Sequence, residues 1–176
     1  MIHAPPIITT TRFDNETWGE NVCFRDKHNI KGCIYNKPCL MPPSIKEGVP
    51  LFVIEMNNTL NRVEGIGLII NRIKLNIHYH IHQYEYYNIY TYKGKYRLDR
   101  TDIAEHNIEI LKMLDMILFK GRTNLKRGSG FVKISDNLLA SYSYRYDNPS
   151  LVLEIKDMFL KVFKTRKYKK VVLNII

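Results

Sequence analysis

Two apolar runs separated by a short polar loop constrain this chain more than any other feature. Leu51-Phe52-Val53-Ile54-Glu55-Met56 is rich in β-formers and bounded by turn residues, the pattern of a buried strand. Asn57-Asn58-Thr59-Leu60-Asn61-Arg62 can reverse the chain, because asparagine tolerates positive φ and bonds its own backbone. Residues 63–70 then return as a second strand. Gly65 and Gly67 share one face of it, which predicts a bulge or the close approach of another backbone or a ligand. Glu55 and Glu64 flank the turn and are expected to be solvated.

A chain of 176 residues, 45% hydrophobic and 25% charged, matches one soluble globular domain. No apolar run approaches the ~20 residues of a membrane span. Met1-Ile2-His3-Ala4-Pro5-Pro6 lacks the charged start and apolar core of a signal peptide. Three cysteines, an odd number, argue against a secreted disulfide framework and for an intracellular site. The net charge of +10 favours polyanionic partners. Twelve tyrosines accompany it, and tyrosines among Lys and Arg can stack bases while the cations hold phosphates.

Residues 1–12 read as an extended lead-in, in which Ile7-Ile8-Thr9-Thr10-Thr11 can add an edge strand. Trp18 stands in a polar, turn-prone setting. Cys23, His28, Cys33 and Cys39 are zinc-ligand types, but the spacing C-x4-H-x4-C-x5-C lacks the short pairs that close a zinc knuckle. They are expected as small half-buried groups, and neither metal nor cofactor is expected. Residues 73–82 alternate strictly, with Ile73, Leu75, Ile77, Tyr79 and Ile81 on one face and Lys74, Asn76, His78, His80 and His82 on the other. That predicts a strand whose histidines form a solvated polar face.

Residues 84–100 are the most aromatic stretch. Tyr90 and Tyr92 share a strand face, Lys93-Gly94-Lys95 marks a turn or bulge, and Arg97 and Arg100 follow. A helix is expected over 103–120, started by Asp102 and Glu105 and stopped by Gly121. A basic, glycine-bearing loop comes next, with Lys120, Arg122, Lys126 and Arg127 placed to hold phosphates. Phe131-Val132-Lys133-Ile134 reads as a closing strand. Asn148 and Pro149 start a second helix over 149–164. The domain thus spans 13–164, and 165–176 form a basic tail with a terminal strand.

These elements predict an α+β fold: a curved, mainly antiparallel sheet or partly closed β-barrel with two principal flanking helices. No familiar catalytic motif is present, so the expected role is non-catalytic. The segment from Gly48 through the apolar strand and loop to Val63-Glu64-Gly65-Ile66-Gly67 resembles the PUA-like barrels, in particular the EVE and YTH domains. The resemblance covers residues 13–140 and departs at Val49, where that family often has Asp. It implies a small mixed barrel that binds RNA or DNA and holds a modified base in an aromatic pocket. Trp18 and the tyrosines of 84–96 are the pocket candidates it implies. The Ile/Asn/Lys/Tyr-rich vocabulary is also similar to proteins of large DNA viruses, which makes a virus factory or virion the expected place. The nucleic-acid-binding set is therefore Trp18, Tyr90, Tyr92, Lys93, Lys95, Arg97, Arg100, Lys120, Arg122, Lys126 and Arg127. The alternative is a virion-associated protein whose basic surface meets viral protein partners or packaged genome.

Overall fold

The computed structural model describes residues 6–140 and 150–163. Its elements run β1 (Ile7–Phe13), α1 (Asn15–Lys27), β2 (Cys33–Lys37), β3 (Pro50–Asn57), β4 (Arg62–Ile70), a 3-10 turn (Glu85–Tyr87), β5 (Tyr90–Gly94), β6 (Tyr96–Asp99), α2 (Arg100–Phe119), β7 (Val132–Lys133) and α3 (Leu151–Val162). Residues 136–140 are also helical. The fold is α+β. A mixed five-stranded sheet has the order β6-β4-β3-β1-β7, and β2 and β5 form a second, two-stranded sheet. The large sheet is open, not closed into a barrel.

The β3–β4 hairpin lies at the heart of the large sheet, and every residue of β3 is buried. Such a strand needs apolar side chains on both faces, which is why 51–56 reads as a continuous run. The Asn57 side chain shapes the turn by accepting from Thr59 N and Leu60 N, both at 3.1 Å. Asn61 takes the left-handed conformation, φ 51°. The register slips between Glu55 and Met56, because Gly65 pairs with Glu55 and Val63 with Met56. Glu64 is the extra residue of that bulge. β1 lies between β3, to which it is parallel, and β7. It is therefore an internal strand, not an added edge.

One face of the large sheet packs on helices. Phe52, Ile54, Ile66 and Leu98 meet Ile103, Leu111 and Leu114 of α2 and Ile155 and Phe159 of α3. The other face meets the small sheet through Leu51, Val53, Ile69, Cys33, Tyr35, Tyr92 and Phe131. β5 and β6 therefore belong to different sheets although only Lys95 separates them. Gly94 permits this corner: a Cβ there would lie 2.0 Å from Leu68 O.

The two expected helices are present as α2 and α3. α2 ends before Gly121, whose φ of 77° suits a glycine after a helix. It contains a break at Asn107, φ −159°, whose side chain caps the following turn by accepting from Glu109 N at 3.1 Å. α3 starts after Ser150, while Asn148 and Pro149 lie outside the described residues, as does the tail 165–176. α1 has no counterpart among the elements that the sequence predicts.

Residues 73–82 form no strand. Alternation makes a strand only when a sheet edge accepts the backbone, and of residues 73–82 only Lys74 bonds one, its N donating to Thr91 O of β5 at 2.9 Å. Further along, side chains take the loop backbone at residues 79–82. Asn36 Nδ2 donates to Tyr79 O, and Asn88 Oδ1 accepts from Ile81 N at 3.1 Å and His82 N at 3.0 Å. Leu75 and Ile77 are left exposed.

Candidate nucleic-acid interface

β1 turns into α1 at Asp14. Its carboxylate accepts from Thr17 N at 2.8 Å, and Thr17 Oγ1 accepts from Asp14 N at 3.1 Å, a reciprocal cap. This corner, the end of β2 and residues 128–130 of the basic loop enclose a cavity of about 250 Å³. Arg12, Asn36, Lys37, Asn58, His82 and Tyr87 line it.

Lys37 dominates its electrostatics. The residue is only 6% exposed. Its Nζ lies 4.9 Å from the Phe13 ring centroid and 5.7 Å from that of Phe131. Among the described residues it has neither an ion-pair partner nor a hydrogen-bond acceptor for that nitrogen. Burial, reinforced by the Arg12 charge, pushes the ammonium down to about 7. Two aromatic faces offset part of the cost of a buried cation, but an anion would offset more.

Arg12 fastens the basic loop to β1. Its Nε donates to Leu125 O at 2.7 Å and its Nη1 to Gly130 O at 3.5 Å. Gly128 and Gly130 sit at φ 109° and 68°, conformations that a side chain would strain. Asn58 Nδ2 holds Lys126 O at 2.8 Å, while Asn58 Oδ1 is buried without a donor. Also in the lining, His82 Nδ1 pairs with Glu20 at 2.7 Å. Burial lowers the His82 pKa, and Glu20 opposes the shift.

Beside the cavity stands an aromatic rim. Tyr87 packs edge-on to His82, Tyr84 and Tyr86, with ring centroids 5.9, 6.5 and 5.8 Å away. Tyr84 is 71% exposed and Tyr86 68%, so both present ring faces to solvent.

A second basic feature lies at the β5–β6 corner. Lys31, Lys74, Lys93 and Lys95 line one cleft, with no acidic residue among its lining. Lys93 Nζ sits 5.4 Å from the Tyr79 ring centroid.

The remaining sequence-chosen residues are dispersed. Tyr92 is 1% exposed, its hydroxyl accepting from Met41 N at 2.9 Å and its ring edge-on to Phe131 at 5.1 Å. Tyr90 is half-buried against the same core. Arg97 is buried and bonds Glu55 through Nη2 at 2.7 Å, with Tyr35 OH donating to the same carboxylate at 2.7 Å. Gly65 and Gly67 give this network its room: a Cβ would lie 2.5 Å from Arg97 Nη2 at Gly65, and 2.1 Å from Tyr35 OH at Gly67. Glu55 and Glu64 are thus not solvated. Both are buried, and Glu64 accepts from Asn57 Nδ2 at 2.8 Å and Arg62 Nε at 3.1 Å.

Trp18 is half-buried, 5.3 Å from the Phe13 ring, with the Arg25 and Arg97 guanidiniums each 5.5 Å from its centroid. Arg100 pairs with Asp115 at 2.7 Å and so ties α2 to β4 through Val63 O at 2.7 Å. Lys120, Arg122 and Arg127 are exposed on the basic loop, and Lys126 Nζ donates to Asn61 Oδ1 at 2.6 Å.

Cys23 and Cys39 are exposed, whereas Cys33 is buried, and burial pushes its thiol up to about 12. These cysteines and His28 form no ligand cluster among the described residues. Comparisons with protein-family models, curated proteins and solved structures return no match.

Proposed function

We propose that this protein is a non-catalytic nucleic-acid-binding module, of RNA or DNA, that takes an unstacked nucleotide at the Lys37 cavity. Its phosphate neutralises Lys37 and lies against residues 128–130. A neighbouring base stacks on Tyr84 or Tyr86. Lys37 carries the proposal, because a buried ammonium without a protein anion lines a cavity that Tyr87 also lines, and Tyr87 packs against the exposed Tyr84 and Tyr86. Backbone at a glycine-bearing loop suits close phosphate approach, and tyrosine faces suit any base. The PUA-like resemblance enters at the level of the site, as an aromatic pocket beside a basic loop.

The Lys31–Lys74–Lys93–Lys95 cleft favours a second reading. Clustered lysines with no acid among them suit packaged genome or an acidic protein neighbour in a virion.

Filter binding to single- and double-stranded RNA and DNA across a salt series separates the two. The nucleotide pocket predicts a preference for single strands that Lys37→Met removes. Equal binding to all four, with a steep salt slope and no effect of Lys37→Met, would leave only the basic surface.

A further inference from the structure

The loop after β4 turns two imidazoles onto one carboxylate. His78 Nε2 lies 2.9 Å from Glu85 Oε1, and His80 Nδ1 lies 2.8 Å from Glu85 Oε2. One ligand atom from each residue lies within 4.8 Å of the other two. In an extended strand, imidazoles at i and i+2 would stand about 7 Å apart and nearly parallel. The irregular backbone at 77–80 removes that obstacle.

We propose that His78, His80 and Glu85 form a binding site for one divalent transition-metal ion, with zinc the best match to two imidazoles and a carboxylate. Each nitrogen that now meets the carboxylate through a hydrogen would first lose it, to the other ring nitrogen by tautomer exchange or to solvent, and so free a lone pair for the ion. Ligand atoms around tetrahedral zinc, with bonds of ~2.0–2.2 Å, sit about 3.3–3.5 Å apart. The present spacing needs only small side-chain movements to reach that. The loop is also held in place from behind, since Asn88 bonds both Ile81 N and His82 N and donates to His82 O at 2.7 Å. Three protein ligands leave one position open, and the exposure of all three residues turns it to solvent.

Glu85 is also the first residue of the 3-10 turn that carries Tyr86 and Tyr87. A bound ion would tie residues 78–80 to that turn and stiffen the aromatic rim. This consequence rests on the nucleic-acid reading; the ion site does not.

The test is calorimetric titration of zinc alone into the full chain, without nucleic acid. Cys23→Ser and Cys39→Ser are included in every sample, because exposed thiols also take zinc. One zinc per chain is expected, with a rise in melting temperature. His78→Ala and His80→Ala should each weaken binding by about tenfold or more. Both positions are exposed, so the metal-free variants should melt like the parent. Absence of zinc binding in the parent overturns the proposal. So does binding that survives the His78→Ala/His80→Ala double variant.

Discussion

Arg97 and Glu55 form a buried ion pair inside the sheet, its closest contact 2.7 Å, in the space left by a glycine on the neighbouring strand. A cation in a tyrosine-rich basic stretch thereby becomes an internal brace. Removing one partner strands the other charge. Arg97→Met should cost about 3–5 kcal/mol in urea denaturation. The Glu55→Met/Arg97→Met pair should recover part of that, because no lone charge remains, although the buried Tyr35 hydroxyl loses its acceptor. Nucleic-acid affinity of the folded Arg97→Met protein should match the parent. If the double variant is no more stable than the single, the ion pair is not what Arg97 supplies.

Gly67 offers a second check on the same interior. A Cβ there would fall 2.1 Å from Tyr35 OH and 2.7 Å from Cys33 Sγ. Both are buried between the sheets, so neither can swing into solvent. Gly67→Ala should destabilise by about 1–3 kcal/mol through overpacking. Gly19, with nothing within 4 Å of a Cβ, is the matched control on α1. Gly19→Ala should be neutral or stabilising in thermal melts, as helix propensity predicts.

How far the sequence alone reaches depends on what holds each element. The hairpin is legible because β3 is buried on both faces and so must be continuously apolar. α2 and α3 are legible through their apolar stripes. α1 is not, because it is polar and contains Gly19. Its cap at Asp14 holds it, as does Asn21, whose Nδ2 reaches Ile34 O at 2.8 Å. Residues 73–82 mislead because alternation says nothing about whether the backbone goes on to pair with an edge, and here it does so only at Lys74. The same limit affects the site. The 84–100 stretch is marked by its tyrosines, but which rings are exposed depends on β5 joining β2. Lys37 carries no local signal, since only the folded chain surrounds it with Phe13, Phe131 and Arg12.

Tyr86 and Tyr92 should therefore behave oppositely. Tyr92→Ala empties a core position and should cost about 3–5 kcal/mol of stability. Tyr86→Ala removes an exposed ring, leaves the melting temperature unchanged and weakens single-strand binding by ~1–3 kcal/mol without altering the salt slope. Melting curves and filter binding on the same samples read both. Normal binding by a Tyr84→Ala/Tyr86→Ala variant would rule out the stacking rim.

Lys37 ties binding to pH. Its free-protein pKa of about 7 lies well below the ordinary lysine value because burial disfavours the charge. A phosphate in the cavity stabilises the ammonium and raises that pKa, so binding takes up a proton. The sign follows. Well below pH 7 Lys37 is already charged and affinity is at its plateau; above pH 7 affinity falls by up to about tenfold per pH unit until the bound-state pKa is reached. His82 and Asp14 share the cavity, but the pKa of each is lowered, from 6.5 and 3.8. Neither should change charge between pH 7 and 8.5, whereas Lys37 does. Affinity measured at constant ionic strength over that range should fall with pH in the parent and stay flat in Lys37→Met. Lys37→Arg, charged throughout, should also be flat. A parent whose affinity does not change from pH 7 to 8.5 would show that no anion meets the Lys37 ammonium.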